Sequence, residues 1–151
     1  MPIAIRGGKI DLSSEKKTEE LASKFYKKLK PGNTVFLYGE MGVGKTTFIR
    51  YLINEFQKKN NLKLTEVTSP TFNLLNEYQI NQITIKHYDL FRLKLVDEIK
   101  NLDLFDDMAS VITLIEWPQI IEEKPKNLIE LNFEYGKDHQ KRSVQIKGLN
   151  L

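Results

Sequence analysis

The 151-residue chain contains no cysteine. That excludes disulfide scaffolds, thiolate nucleophiles and cysteine-ligated zinc or iron–sulfur centres together. It has two histidines, His87 and His139, neither with a second ligand at metal-binding spacing. No apolar run exceeds about five residues, against the roughly 18 needed to span a membrane. Met1 to Leu12 lacks the basic-then-apolar layout of a secretory signal. Internal repeats, low-complexity tracts and Pro/Gly-rich linkers are missing. Arginine is scarce: Arg6, Arg50, Arg92 and Arg142 stand against nineteen lysines. Arginine is the preferred side chain for bidentate phosphate and base-edge contacts, so the net charge of +3 is weak support for a nucleic-acid surface. The expectation is a single domain over residues 1–151, soluble and cytoplasmic, with no membrane contact.

What is present is enough apolar residue for a core, at 40% of the chain, with 28% charged. Ser13 or Ser14 can cap a helix carrying Leu21, Phe25 and Leu29 on one face, ended by Pro31-Gly32. Thr34–Tyr38 reads as a buried strand. From Lys45 to about Lys58 the pattern is helical, with Phe48, Leu52 and Phe56 as its core stripe. Gln57 to Lys63 reads as a polar surface loop. Phe72–Ile80 and Ile83–Phe91 suggest a hairpin about Asn81-Gln82, although that pair is not a preferred two-residue turn. Val96 to Leu104 is a short helix plus loop. Val111–Ile115 is a nearly all-apolar strand stopped by Pro118. Leu128–Phe133 and Ser143–Lys147 form a closing antiparallel pair. Strand, glycine-rich turn, helix and a further buried strand predict an α/β domain with a partly parallel sheet.

The sharpest signal is Gly39-Glu40-Met41-Gly42-Val43-Gly44-Lys45-Thr46, followed by Thr47, which fits G-x-x-x-x-G-K-[ST]. Glycines let the backbone aim successive N–H groups around a phosphate where a Cβ would clash. The helix that follows adds its free N–H groups and positive dipole end. Lys45 reaches toward the β- and γ-phosphates of a nucleotide, and the Thr46 hydroxyl ligates Mg²⁺. The motif directly follows a predicted strand and opens a predicted helix, the arrangement the mechanism demands.

Mg²⁺ also needs an acid, usually at the end of a neighbouring apolar strand. Glu116 closes the run Val111–Ile115 and is the favoured candidate. Asp89 competes, but its strand alternates with polar residues and reads as half exposed. Either can order the attacking water. His87 reads as structural or solvent-facing, His139 as solvated and Trp117 as a core aromatic.

Three segments together are specific: Leu37–Thr47, Ser69-Pro70-Thr71-Phe72 and Ile115-Glu116-Trp117-Pro118. They resemble the signature of the bacterial TsaE (YjeE) family. His87-Tyr88-Asp89-Leu90-Phe91-Arg92-Leu93 is similar to that family's D-L-Y-R-L stretch, with Phe91 where tyrosine is usual. The resemblance implies an ATPase required for making threonylcarbamoyl-adenosine beside the tRNA anticodon. It implies TsaB and TsaD as partners, with TsaD carrying out the transfer, and ATP and Mg²⁺ as cofactors. The implied fold is a P-loop NTPase-like sheet, a parallel core flanked by antiparallel strands. It also implies a switch-like role for Thr71 near the γ-phosphate, a functional role for Trp117, and Thr18 at the adenine end. Lys141-Arg142 resembles a family basic position to which no role attaches.

Phosphate-loop kinases need a lid carrying several arginines, and four scattered ones do not supply it. A GTPase would need N-K-x-D, which does not occur. A nucleotide-gated assembly factor remains compatible with the residues. For a transition-state cation the arginines to consider are Arg50 and Arg92.

Overall fold

The computed structural model describes residues 8–105 and 108–151. Arg6 and the first seven residues of the N-terminal reading lie outside them. The elements are β1 (Ile10–Asp11), α1 (Glu15–Lys28), β2 (Thr34–Tyr38), α2 (Lys45–Lys59), β3 (Leu75–Ile80), β4 (Ile83–Asp89), α3 (Val96–Ile99), β5 (Val111–Glu116), β6 (Leu128–Tyr135) and β7 (Arg142–Lys147). The seven strands make one sheet in the order β1-β7-β6-β2-β5-β4-β3. β6, β2, β5 and β4 run parallel to their neighbours within that central block, while β3, β7 and β1 add antiparallel edges. This is the α/β sheet with a parallel core and antiparallel flanks expected from the sequence.

The period of two along each strand sorts side chains between two faces. On one face Val35, Leu37, Leu114 and Leu131 pack under Leu21 and Phe25 of α1 and Phe48 and Leu52 of α2. Phe25 meets Phe48 edge to face at 5.2 Å between centroids. On the opposite face Phe36, Tyr88, Leu90, Leu104 and Ile115 form a smaller cluster. Leu52 lies wholly within the larger cluster. Leu52→Ala is expected to cost about 2–5 kcal/mol of unfolding free energy, measurable by urea denaturation. No described helix is long and apolar enough to cross a membrane.

Ser14 is the N-cap of α1, its hydroxyl accepting from Lys17 N–H at 3.3 Å. The hairpin forms about Asn81-Gln82 because Asn81 takes φ of 54°, a left-handed conformation asparagine tolerates. Its first strand starts at Leu75 rather than Phe72, since Leu74 sits at φ 67° and breaks the extended run. The expected surface loop from Gln57 is also corrected. Gln57 is a buried residue of α2, donating from Nε2 to Thr65 Oγ1 at 2.9 Å and so tethering the chain beyond the helix.

β4 is the larger correction. Its polar alternation suggested a half-exposed strand, but it lies between β5 and β3 and Asp89 is 6% exposed. His87 and Asp89 on it serve a buried site instead of solvent, while Thr84 and Lys86 stay half-buried. His87, at 0% exposure, is therefore not solvent-facing.

Candidate functional site

The Gly39–Thr47 loop joins β2 to α2 at the carboxyl edge of the parallel strands, where ligands bind in open α/β sheets. Gly39, Gly42 and Gly44 have φ of 146°, 80° and 118°, and Gly44 caps α2. Space adds a second constraint at Gly39, where a Cβ would fall 2.8 Å from Val43 Cγ1 and 2.9 Å from the Phe133 carbonyl oxygen. Gly39→Ala should therefore lower the melting temperature and displace the loop, by an amount comparable to other backbone-strain substitutions at about 1–3 kcal/mol.

Lys45 Nζ curls back to donate to the Gly39 carbonyl at 2.5 Å and lies 3.6 Å from the centroid of Trp117. Burial pushes the Lys45 ammonium below the usual lysine range, opposed in part by the charges of Glu116 and Asp89. Trp117 is thus a wall of the cavity rather than a core residue, and its ring also meets Phe91 at 4.8 Å. It holds φ 57°, ψ 56°, an outlier for a bulky side chain, placing the indole over Lys45 directly after β5 ends.

Parallel pairing sets Asp89 at the end of β4 opposite Glu116 at the end of β5. Thr46 Oγ1 donates to the Glu116 carboxylate, 2.9 Å from Oε1 and 3.0 Å from Oε2. His87 Nε2 reaches Glu116 Oε2 at 2.7 Å from the buried side. Asp89 accepts from the Ser69 hydroxyl through Oδ2 and from Phe91 N–H at 2.9 Å through Oδ1. Ser69 went unassigned from the sequence, although Ser-Pro-Thr marked the loop. Thr71 comes into the same cavity, of about 260 Å³, with Met41, Gly42, Gly44, Lys45, Thr46 and Thr47.

Thr46 and Glu116 offer only oxygen donors, the chemistry that suits Mg²⁺. No group of three or more His, Cys, Asp or Glu side chains gathers to hold a metal among the described residues. A Mg²⁺ held there would need its remaining ligands from outside the protein, as Mg²⁺ commonly does in phosphate sites. The residues fit the ion.

Thr18 lies in an adjoining cavity of about 340 Å³, which shares Gly44 and Thr47 with the first. Glu40 and Val43 complete the loop, Val43 buried and Glu40 exposed. Neither Arg50 nor Arg92 lines either cavity. Arg50 pairs with Glu15 at 3.0 Å, and Arg92 donates to the carbonyls of Thr71 at 3.2 Å and Phe72 at 3.3 Å. Arg142 lines the second cavity, with Nη1 3.9 Å from the Cβ position of Gly44. Its distance from the loop in sequence hid that proximity, which β7 creates by pairing with β6.

A parallel sheet with a glycine loop opening a helix, and a carboxylate at the next strand's end, defines a protein of the P-loop NTPase-like fold. The crystal structure of Bacillus subtilis YdiB shares that fold, with a TM-score of 0.65 at 22% identity, covering 91% of this chain and 82% of that one. The family model for threonylcarbamoyl adenosine biosynthesis protein TsaE matches residues 12–144. The chain belongs to the TsaE family. Among relatives named tRNA threonylcarbamoyladenosine biosynthesis protein TsaE, that of Rickettsia bellii is 44% identical over 131 residues, covering 86% of this chain and 88% of the relative. The Rickettsia typhi protein is 41% identical over 140 residues, covering 92% and 94%, and the Nostoc protein 32% identical over 147, covering 94% and 86%.

Proposed function

We propose that the chain is a Mg²⁺-dependent ATPase subunit of tRNA threonylcarbamoyladenosine biosynthesis, acting in the cytoplasm with TsaB and TsaD. The observation that carries this reading is the Thr46–Glu116 contact at 2.9 Å, which puts a hydroxyl and a carboxylate side by side at the mouth of the glycine loop. In this reading the Gly39–Thr47 backbone and Lys45 hold the phosphates of ATP, Thr46 and Glu116 hold Mg²⁺, and Thr18 lies toward the adenine. The chemistry the ion would supply there is neutralisation of charge on the phosphoryl oxygens. Asp89 or Glu116 orients the attacking water, and Thr71 senses the γ-phosphate end. One domain over residues 1–151 carries all of these roles, with tRNA contact indirect.

Among the described residues no arginine lines the cavity that holds Thr46 and Glu116, so none of them stands there to meet transition-state charge. Hydrolysis is expected to be slow alone and accelerated by TsaB and TsaD, because a supplied cation can be worth roughly 10³–10⁵ in rate. The test is reconstitution of the full chain with both partners and tRNA, reading ATP turnover and modified adenosine. Turnover that the partners do not raise overturns the partnership reading. A nucleotide-gated assembly role is separated by Glu116→Ala: assembly retained with modification lost makes hydrolysis the working step.

A further inference from the structure

His87 occupies a position where a strand buried in a sheet ordinarily carries an apolar side chain. Ile85, two residues earlier on the same face, is fully buried, and His87 sits in register with the buried Leu114. His87 itself is 0% exposed. Its Nε2 lies 2.7 Å from Glu116 Oε2, while Nδ1 is buried with no hydrogen-bond partner among the described residues. A carboxylate only accepts, so Nε2 carries the proton and donates. Leaving a buried ring nitrogen unpaired is unfavourable. The imidazole therefore brings to this place one favourable polar contact, with Glu116.

Glu116 needs such a contact. Its long side chain has several rotamers, and on the cavity side its hydrogen-bond partner is the Thr46 hydroxyl, with the Lys45 charge nearby. His87 holds the carboxylate through Oε2 from the buried side, while the Thr46 hydroxyl lies within hydrogen-bond distance of both oxygens, so the imidazole fixes how the carboxylate faces the cavity. The diagonal offset across β4 and β5 creates this geometry, since Asp89, not His87, stands directly opposite Glu116.

We propose that His87 is a positioning residue that orients Glu116 for the divalent cation and thereby sets the protein's Mg²⁺ affinity. The inference rests on Glu116 and Thr46 being the Mg²⁺ ligands. Partners of this kind, hydrogen-bonded behind a metal ligand, typically change metal affinity by about ten- to hundredfold when lost.

The test measures equilibrium binding of a non-hydrolysable ATP analogue to the full chain by calorimetry, in EDTA and across a Mg²⁺ titration. In His87→Phe the Mg²⁺ concentration for half-maximal effect should rise about ten- to hundredfold, while analogue affinity in EDTA stays within about twofold. His87→Gln, whose amide N–H can occupy the place of Nε2, should restore the wild-type Mg²⁺ midpoint. His87→Asn, too short to reach Glu116, should not. The Gln and Asn pair keeps the test decisive if the Phe variant does not fold. An unchanged Mg²⁺ midpoint in both Phe and Asn variants, or equal loss of analogue binding in EDTA, overturns the inference. Glu116→Gln, run alongside, separates the two levels. If it shifts the Mg²⁺ midpoint and the His87 variants do not, only the positioning role fails. If Glu116→Gln shifts nothing, the metal assignment fails and takes the inference with it.

Discussion

Lys45→Met is expected to weaken ATP binding by roughly ten- to hundredfold, the loss of about 1.5–3 kcal/mol carried by hydrogen bonds to a charged group. The ammonium is already partly desolvated and faces Gly39, Trp117, Glu116 and Asp89. Burial lowers its proton affinity, so its charge is held at a cost that a bound phosphate would offset. Methionine retains the length of the stem and its packing beneath the indole without the charge. The expected result is therefore loss of binding with little loss of melting temperature, read by calorimetry with ATP and by thermal denaturation without it. Binding within twofold of wild type would remove Lys45 from the phosphate site. A parallel competition of ATP against GTP reads base preference in the same experiment.

Glu116→Gln should lower the hydrolysis rate on the order of a hundredfold or more, the scale seen when one preorganised electrostatic group is removed from a reacting centre. Glutamine keeps the shape and can still accept from His87 and Thr46, so the fold has little reason to change. The charge that would hold Mg²⁺ is gone. Single-turnover hydrolysis at saturating ATP distinguishes this from a binding defect, and nucleotide affinity in EDTA should be unaltered. Asp89→Asn is the informative companion. Both Asp89 oxygens are engaged, by Ser69 and by Phe91 N–H, so this change acts on the Ser69-Pro70-Thr71 loop as well as on any water. Equal losses for the two variants would point to a shared role in ordering the nucleophile; a loss confined to Glu116→Gln would assign the chemistry to it alone.

Much of this was legible in the chain because it is local. Four of the five residues of Thr34–Tyr38 are β-branched or aromatic, and the structure makes it a strand over the same residues. Gly44-Lys45 opens α2 where the motif implied. The capping serine and the Phe48, Leu52 and Phe56 stripe likewise depend on near neighbours, through helix period and N-cap hydrogen bonds. Glu116 stood out as a candidate because a nearly all-apolar strand with an acid at its end is a pattern in one segment.

The misreadings share one physical cause. The polar alternation of β4 looked like a solvent face because sequence does not say what lies on the other side of a strand. His87, Asp89 and Glu116 are polar and buried together, and each has a hydrogen-bond partner twenty or more residues away. Gln57 was taken for a loop residue for the same reason, its amide being used by Thr65 inside the fold. Arg142 had no role until β7 paired with β6 and brought it to the Gly44 side of the cavity.

The absence of cysteine, the scarcity of arginine and the glycine loop by themselves narrowed the chemistry the chain can offer. Thiols were unavailable, a multi-arginine lid was out of reach, and a run of glycines before a helix can form one kind of anion cradle. Which acid meets Thr46, what stands behind that acid and which arginine lies near the loop were decided only by the sheet. Strand register fixes side chains across segments far apart in the chain. A carboxylate's orientation therefore depends on neighbours that no local pattern records.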